Sequence, residues 1–556
     1  MEKYIQIYCK NIDEYIEAQG GETLAEVYER LKERIAIKPV CAHVNNKTRG
    51  LSFPIFKPNY VEFIGTESPS GQRLYVRSLC MVLCKAAHDL FPEWRLRIEH
   101  SISKGYYCIP DGTSPSEQEV AQIKTRMQEL TAADLPLIYH QKLTADATAL
   151  LRRSGLKGTA DVLDARNELY ADYYELDGYF DSCYSALAPS TGYVRVFDLV
   201  KYKEGMLLLP PDFENNPSAP ATPVEQEKMY HAFTDNIRFD QIIGVSNVSE
   251  LNAVVDNDEA SQLINVAETL HDKEIGHIAD RITDSFHEGG ARVVLVAGPS
   301  SSGKTTTTKR LSIHLLANLI RPQMISLDNY FVNREDTPRD KNGDYDYESI
   351  HALDIAQFNA DLNDLIAGKE VKMPTYDFAT GRRVYRGNTL QLTENSILLM
   401  EGIHGLNPEL TAGIPDRQKF RVYVSALTTL SIDDHTWIPT TDNRLLRRII
   451  RDYKYRGASA LDTISRWQSV RRGEDKWIFP YQENADAMFN SSLLFELGVM
   501  KSFAVPILKK VPHNVPQYAE AHRLLTFLSY FREISDSQIP STSLLREFLG
   551  GSSFHY

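Results

Sequence analysis

The chain has 556 residues, which at roughly 150 residues per domain predicts about three or four domains and excludes a single small module. Charged residues make up 24% and apolar residues 42% of the sequence, so several hydrophobic cores can form and global disorder is disfavoured. The net charge of −13 argues against a surface built to bind duplex nucleic acid, although a local basic pocket is compatible with it.

The six cysteines all lie in the first third of the chain, and so few in so long a sequence indicate reduced thiols in a cytoplasm. Cys80 and Cys84 form a C-x3-C pair without a second pair at zinc spacing, so no metal site is expected there. The first residues lack a basic segment followed by an apolar run, and no apolar stretch is long enough to span a bilayer. We therefore predict a soluble, cytoplasmic protein with no membrane partner.

The first predicted unit is a small α+β module over residues 1–65. Residues 3–9 alternate in polarity as a strand does. Thr23 and Glu26 have the spacing of a capping box and open a run of apolar residues at helical intervals. Further short strands are expected around 41–45 and 60–64.

The second predicted unit covers residues 66–212 and is also α+β. It begins with an apolar helix over 74–91, continues with a helix that starts at Ser114 or Ser116, and ends in a hairpin within 192–210. Residues 213–290 are predicted to be a linker and a helical bridge. The linker signal is the cluster of prolines in 211–223, and the helical signal is strongest over 259–286.

From residue 291 to 556, strand and helix signals alternate, which predicts βαβ units and a mainly parallel sheet with helices on both faces. The first strand is followed by GPSSSGKT (298–305), a match to the phosphate-binding pattern G-x4-G-K-[ST]. Backbone N–H groups of such a loop surround a phosphate, and the helix that follows directs its positive end at the anion. We call residues 298–305 the P-loop. The predicted nucleotide-binding residues are Gly298, Ser300, Ser301, Ser302, Gly303, Lys304, Thr305 and Thr306.

Two acidic residues follow later strands of this sheet. Asp328 comes at the end of the strand in MISLDNYF, and Glu401 directly follows SILLM. Ligands of open α/β sheets bind at the carboxyl ends of the strands, so both acids are expected beside the P-loop. Each also has a structural alternative, since Asp328 could cap a helix and Glu401 could be a surface carboxylate.

The segment DNRLLRRIIRDYKYRG (442–457) concentrates arginines on one predicted helix and its end. They are Arg444, Arg447, Arg448, Arg451 and Arg456. A solvated charged helix is the simpler interpretation. We favour a lid that closes over phosphates, because guanidinium groups bind phosphoryl oxygens and a P-loop lies in the same domain.

Together the P-loop, LDNYF (327–331), PTYDF (374–378), LLMEGIH (398–404) and RRIIRDYKYRG (447–457) resemble the uridine kinase and phosphoribulokinase group of P-loop kinases. The resemblance covers about 292–500. It implies transfer of the γ-phosphoryl group of ATP to a sugar hydroxyl, with Mg²⁺ as the metal ion.

The resemblance also implies roles for individual residues. Asp328 is similar to the general base, and Lys304, Arg448 and Arg451 complete the expected catalytic set. Thr305 and Glu401, with Asp328, are the expected Mg²⁺ site. The expected acceptor-binding residues are Asp346, which resembles the ribose-binding acid, Tyr376, which resembles the aromatic beside the base, Arg382 and Arg456.

Two positions depart from the group. Uridine kinases usually carry a histidine a few residues after the tyrosine, and Gly381 stands about there. The usual R-G-R of the lid is Arg456-Gly457-Ala458 in this sequence. Phosphoryl transfer is therefore better supported than uracil recognition, and a purine nucleoside or another polyol remains open as the acceptor.

The first half of the chain resembles the N-terminal domains of threonyl-tRNA synthetases: a TGS domain over 1–65 and an editing-type domain over 66–212. The resemblance rests on VEFIG (61–65), on the helix that ends in Leu90-Phe91-Pro92 and on FDSCYSALAPSTG (180–192). Of the synthetase zinc ligands, Cys183 remains, whereas Arg77, Met81 and Leu187 stand at the other three positions. Because one ligand cannot hold zinc tightly, the editing chemistry is expected to be lost.

These observations predict an ATP- and Mg²⁺-dependent nucleoside kinase that acts on the 5′-hydroxyl of a small-molecule acceptor. Two alternatives stay open: an RNA- or ribosome-associated regulatory ATPase, and a kinase of another small sugar alcohol. The negative charge argues weakly against broad RNA binding. Binding of tRNA and assembly into a homo-oligomer are both left open by the sequence.

Overall fold

The computed structural model describes residues 4–339, 343, 345–377 and 379–555. Its first unit is a five-stranded sheet in the order β2-β1-β5-β3-β4, in which β1 and β5 are parallel and the other neighbours antiparallel. Thr23 caps the helix through the predicted capping box with Glu26. The elements are β1 Tyr4–Cys9, β2 Glu14–Gln19, α1 Leu24–Leu31, β3 Cys41–Val44, β4 Lys47–Gly50 and β5 Tyr60–Ile64.

The second unit contains two antiparallel sheets, in the orders β11-β12-β7-β6 and β10-β9-β8. Both pack around the long apolar helix α2. The second helix of the unit, α3, is capped by Ser116 and not by Ser114. The elements are α2 Pro69–Leu90, β6 Leu96–Ile102, β7 Gly105–Pro110, α3 Glu117–Ala132, β8 Ile138–Leu143, α4 Thr144–Arg153, α5 Lys157–Ala165, β9 Tyr170–Leu176, β10 Tyr179–Asp181, β11 Asp198–Tyr202 and β12 Gly205–Leu209.

The proline-rich stretch predicted to be a linker contains a two-stranded antiparallel sheet that the sequence did not predict. Prolines are tolerated here because a strand with an open edge does not need every N–H group. The bridge that follows is helical, as predicted, but the buried residues of α7 and α8 share one core with the C-terminal sheet. The elements are β13 Pro211–Asp212, β14 Asn216–Pro220, α6 Glu227–Ile243, α7 Val248–Asp256 and α8 Ala260–His287.

The C-terminal unit is built on a five-stranded parallel sheet in the order β16-β21-β15-β22-β25. Alternate residues of β15 enter different cores: Val294 packs with α8 and α9, whereas Leu295 packs with α10. Helices therefore cover both faces, as predicted. The elements are β15 Val293–Ala297, α9 Lys304–Ala317, β16 Arg321–Ser326, α10 Ile355–Ile366, β17 Val371–Lys372, β18 Thr375–Asp377, β19 Arg382–Val384, β20 Thr389–Leu390, β21 Ser396–Glu401, β22 Lys419–Ser425, β23 Ser431–Asp433, β24 Thr436–Trp437, α11 Thr440–Tyr455, α12 Ala460–Trp477, β25 Ala487–Asn490, α13 Glu496–Leu508, α14 Tyr518–Leu528 and α15 Arg546–Leu549.

The hairpin β23–β24 joins the C-terminal unit to the second unit. Trp437 is buried in the core of the second unit, where its ring lies 4.5 Å from that of Tyr106. At the turn of the hairpin, the Asp434 carbonyl accepts a hydrogen bond from the Ile98 N–H group at 2.8 Å. Because α11 begins three residues after β24, this joint also positions the start of α11, the arginine-rich helix that we call the arginine helix.

Among the described residues, no helix combines the length and the apolar content that crossing a membrane requires.

Candidate active site

The P-loop runs between the carboxyl end of β15 and the first turn of α9. Gly303 adopts a left-handed conformation (φ 85°) just before the helix begins, and this backbone conformation strongly favours glycine. The loop is packed tightly, because a Cβ atom at Gly303 would lie 2.6 Å from Leu544. The motif predicts that its backbone N–H groups and the positive end of α9 bind an anion.

Lys304 projects from the first residue of α9. Its Nζ donates a hydrogen bond to the Pro299 carbonyl at 2.9 Å, so the side chain folds back over the loop. Burial lowers the pKa of Lys304, and the carboxylates of Glu401 and Glu547 act in the opposite direction. The ammonium group is therefore held between the loop and these acids, where it can meet a phosphate.

Thr305 and Glu401 are brought together as the sequence predicts. The Thr305 hydroxyl donates to Glu401 Oε1 at 3.2 Å, and β21, which ends in Glu401, lies directly beside β15. Glu401 Oε2 is buried and finds no hydrogen-bond partner in the described part of the chain. Burial raises the pKa of Glu401 to about 7. A hydroxyl and an unpartnered carboxylate oxygen are suitable ligands for Mg²⁺, so these residues fit the expected ion.

Asp328 lies just after β16, in a single 3₁₀ turn over Leu327–Tyr330. Its side chain keeps access to solvent, but the surrounding walls remove much of its hydration and raise its pKa. The charges of Lys304 and Arg456 oppose that shift. The structure thus brings Asp328 toward the P-loop lysine and the end of the arginine helix.

The arginines of α11 divide into two groups. Arg444 and Arg447 are fully buried. Arg444 contacts the P-loop backbone, and Arg447 lies in a buried ion pair. Arg444 Nε donates to the Ser300 carbonyl at 2.9 Å, and Arg447 pairs with Glu496 at 2.7 Å. Removing either partner of such a buried pair leaves an unpaired charge in the core, which is strongly destabilising.

The second group, Arg448, Arg451 and Arg456, is less buried. Arg448 donates to the Ser300 hydroxyl at 2.7 Å, so it reaches the P-loop directly. Arg451 donates to Asp452 at 2.8 Å, and the more exposed Arg456 lies 3.5 Å from the same carboxylate. Burial lowers the pKa of both Arg448 and Arg456.

The expected acceptor residues are only partly brought together. Tyr376 is buried, with its ring 5.5 Å from that of Phe331, which directly follows the 3₁₀ turn that carries Asp328. Asp346 adds to the negative charge around Glu348. Arg382 is not brought to these residues: its side chain is 67% exposed to solvent and pairs with Glu335 at 3.7 Å. Phe378, the last residue of the PTYDF motif, lies outside the described residues.

The glycine at the position of the usual base-reading histidine has a structural reason. Gly381 adopts a left-handed conformation (φ 70°), and a Cβ atom there would lie 2.7 Å from Arg334 Nε. A side chain therefore does not fit at this position without a local shift.

Sequence reasoning missed three carboxylates of the site. Glu474 on α12 accepts a hydrogen bond from the Ser300 N–H group at 3.0 Å. Glu348 faces Glu474, Arg448 and Lys304, and burial raises its pKa to about 7. Glu547 bonds to Thr306 from the far end of the chain. Of these, Glu348 alone had a local signal, since it lies in the same GDYDYES segment as Asp346.

A separate cluster of metal-ligand types lies at the joint between the two halves. Ligand atoms of Cys84, Asp181 and His435 lie within 4.8 Å of one another. His435 Nδ1 already bonds to Asp181 Oδ2 at 2.6 Å, so the ring and the carboxylate satisfy each other without a metal. The cluster lies close to Cys183, which is buried and faces Asp181, and it links the hairpin β23–β24 to the second unit.

The parallel sheet, the P-loop, the strand-end acids and the arginine helix define a P-loop kinase-like domain of the α/β class. Residues 293–493 match the family model described as the Phosphoribulokinase / Uridine kinase family. The C-terminal part of the chain is thus similar to this kinase family, and an N-terminal region is similar to threonine–tRNA ligase.

A uridine kinase of Staphylococcus aureus strain JH9 is 29% identical over 195 residues, which are 35% of this chain and 84% of that protein. The threonine–tRNA ligase of Rubrobacter xylanophilus is 28% identical over 185 residues, which are 33% of this chain but 29% of the ligase. A solved structure described as a possible uridine kinase from Bacillus stearothermophilus aligns with a TM-score of 0.24 and 21% identity, covering 38% of this chain and 98% of that one.

Proposed function

We propose that the chain is an ATP- and Mg²⁺-dependent nucleoside kinase that transfers the γ-phosphoryl group of ATP to a 5′-hydroxyl. The observation that carries the proposal is the position of Asp328, a solvent-accessible carboxylate that directly follows β16 and lies near Lys304 and Arg456. A carboxylate between a phosphate site and open solvent can receive an acceptor hydroxyl, which a P-loop used purely for switching does not need.

In this proposal the phosphates of ATP lie against the P-loop. Backbone N–H groups of Ser300 to Thr306 donate to the phosphate oxygens, and Lys304 moves from the Pro299 carbonyl to the β- and γ-phosphates. A flexible lysine suits this movement, because its compact charge can be redirected by rotation about single bonds.

The proposed Mg²⁺ ligands are Thr305 and Glu401, with Asp328 at the neighbouring strand end. The unpartnered Glu401 oxygen supports this assignment. When bound, Mg²⁺ neutralises the charge that builds up on the transferred phosphoryl group. The chain itself holds the ion's ligands in register, because β21 and β15 are adjacent parallel strands.

Asp328 is proposed to take the proton from the acceptor hydroxyl as the phosphoryl group transfers. A pKa raised by reduced hydration makes the carboxylate a better proton acceptor, and the charges of Lys304 and Arg456 oppose that rise. Because the transition state of phosphoryl transfer is loose, the main requirement on the base is that it is correctly placed.

Arg448, Arg451 and Arg456 are proposed to act as the closing lid. Arg448 already contacts the Ser300 hydroxyl, and Arg456 lies near Asp328. Guanidinium groups so placed can stabilise negative charge on the transferred group and exclude water from the closed site.

Acceptor binding is proposed to involve Asp346 at the ribose hydroxyls and Tyr376 beside the base. Arg382 is a weaker proposal, since its side chain lies in solvent. Gly381 stands where uridine kinases usually carry a base-reading histidine, and this difference supports a broader acceptor range than uridine alone. For the same reason a kinase of another small sugar alcohol is the second candidate.

The domain limits 1–65, 66–212, 213–290 and 291–556 remain a proposal, and the packing of α7 and α8 into the kinase core favours drawing the last boundary earlier. Neither of the first two units, 1–65 and 66–212, contributes a residue to the phosphoryl transfer proposed at the P-loop.

The proposal is tested by incubating full-length protein with Mg²⁺, γ-labelled ATP and a panel of nucleosides and sugar alcohols, followed by separation of labelled products. We expect a labelled monophosphate with at least one nucleoside. Label on a sugar alcohol alone would favour the second candidate. Release of inorganic phosphate without any acceptor product would contradict both.

A further inference from the structure

The last turn of the chain lies against the start of the P-loop helix. Within Ser543–Leu549, the side chains of Leu544, Leu545 and Phe548 are all fully buried. Leu544 packs on Gly303, where its Cδ2 atom lies 2.6 Å from the position of a Cβ. This segment is therefore a packed part of the nucleotide site and not a loose terminus. We call residues 543–549 the C-terminal plug.

Glu547 directs its carboxylate at the first turn of α9. Its Oε2 atom accepts hydrogen bonds from the Thr306 hydroxyl at 2.7 Å and from the Thr306 N–H group at 3.2 Å. The first N–H groups of a helix have no partner within the helix and attract anions. In the proposed kinase, these Thr306 groups belong to the set that holds the phosphates of the nucleotide.

A second carboxylate occupies the other end of the same loop. Glu474 accepts a hydrogen bond from the Ser300 N–H group at 3.0 Å and pairs with Arg444. The P-loop thus carries internal anions at both ends, and they use donors that a nucleotide requires. The two carboxylates differ in burial. Glu474 is completely buried on the long helix α12, whereas Glu547 is partly accessible on the plug.

The plug is also fastened to the arginine helix. The Phe548 ring lies 5.1 Å from the guanidinium carbon of Arg447, and Lys454 donates to the Leu549 carbonyl. Arg546, on the opposite side, pairs with Asp536 at 3.0 Å. Movement of α11 and release of the plug are consequently linked through shared contacts.

We propose that the C-terminal plug is autoinhibitory: the Glu547 carboxylate occupies a phosphate position on Thr306, and a nucleotide must displace it to bind. This inference rests on the proposed function, since it takes the P-loop to be a nucleotide site. No covalent bond is made or broken in the exchange: the hydrogen bonds from Thr306 to Glu547 are replaced by hydrogen bonds to the phosphate.

The test compares binding of Mg²⁺–ADP to full-length wild type, Glu547→Gln and Glu533→Gln by titration calorimetry. Glu533 is an exposed acid in the same C-terminal stretch, so its substitution is the matched control for charge. Because a hydrogen bond to a charged group contributes more than a neutral one, we expect Glu547→Gln to bind ADP about tenfold more tightly, which is roughly 1.4 kcal/mol. Glu533→Gln should bind as wild type does.

Hydrogen exchange on the same samples follows the plug itself. We expect ADP to increase amide exchange within 543–549 of the wild type and to protect 300–306. Glu547→Ala, which removes both the charge and the acceptor, should bind at least as tightly as Glu547→Gln. A melting curve for each variant shows whether it is folded before its affinity is compared.

The outcomes separate this inference from the proposed function. Equal ADP affinity in wild type and both Glu547 variants, or binding with unchanged exchange in 543–549, overturns the plug and leaves the kinase proposal standing. If neither wild type nor any folded Glu547 variant binds ADP, both proposals fail together.

Discussion

The guanidinium group of Arg77 lies over the indole ring of Trp437, with 4.0 Å between the guanidinium carbon and the ring centre. Arg77 also donates to the Trp437 carbonyl at 3.3 Å. Arg77 lies on α2 of the second unit, and its partner belongs to the hairpin β23–β24 of the C-terminal unit. A side chain of the second unit thus holds the hairpin that leads into α11.

Replacing Trp437 by alanine should loosen this joint. Loss of a buried tryptophan costs about 3–5 kcal/mol, so we expect Trp437→Ala to lower the melting temperature clearly and to expose the 431–437 hairpin to proteases. The comparison is Arg95→Gln, which removes an exposed ion pair with Asp434 in the same joint and should cost less than about 1 kcal/mol. Equal melting temperatures for the two variants would contradict the account of the joint.

Glu401→Gln tests the proposed metal ligand. The amide keeps the size of the side chain but loses the charge that binds a hard cation, so the Mg²⁺ concentration for half-maximal activity should rise roughly tenfold or more. Glu394→Gln, at an exposed position shortly before the same strand, should leave it unchanged. An unaltered Mg²⁺ requirement in Glu401→Gln would remove this residue from the site.

His100 should make the fold sensitive to acid. Its ring stacks on Phe233 at 3.8 Å, and burial lowers its pKa to about 3. Since the unfolded histidine has a pKa near ~6.5, the unfolded state takes up a proton as pH falls through that value while the folded state does not. Stability is therefore full above ~6.5 and declines between ~6.5 and ~3, by about 1.4 kcal/mol per pH unit for this group.

The check is the melting temperature of wild type and His100→Leu between pH 7 and pH 4. The variant should lose less stability per pH unit than wild type over this window. If both melting temperatures fall in parallel, His100 does not contribute to the acid sensitivity.

Gly381→Ala probes the position of the missing base-reading histidine. The left-handed conformation alone costs a non-glycine residue about 1 kcal/mol, and the contact with Arg334 should add to this. Gly387 has a similar conformation (φ 86°) with open space around it, so Gly387→Ala measures the conformational cost alone. Gly381→Ala is expected to lower the melting temperature more than Gly387→Ala, and the reverse order would contradict the packing argument.

Local signals in the sequence predicted those parts of the fold and of the site that depend on residues close together in the chain. The capping group of Thr23 and the P-loop between β15 and α9 follow from short-range spacing, whereas the choice of Ser116 over Ser114 as a cap did not. The proximity of Asp328 and Glu401 followed from a general rule about parallel strands, although the strand order itself was not predicted.

Long-range pairings could not be predicted. Glu547 meets Thr306 across 241 positions, and His435 meets Asp181 across 254. No local pattern marks such partners, because they depend on how complete units pack. The strands β13 and β14 were missed because the local signal was misleading. Their proline-rich composition is typical of a linker, but the hydrogen bonds between the two strands stabilise a sheet despite that composition.

The central claim is phosphoryl transfer to a nucleoside 5′-hydroxyl with Asp328 as the base. The most direct test is ³¹P NMR of full-length protein with Mg²⁺, ATP and an accepted nucleoside, comparing wild type with Asp328→Asn and with the exposed control Asp336→Asn. We predict a monophosphate ester coupled to the 5′-methylene protons in wild type and control, formed about 10²- to 10⁴-fold more slowly in Asp328→Asn. An ester of the same nucleoside formed at equal rates by all three proteins would contradict the account.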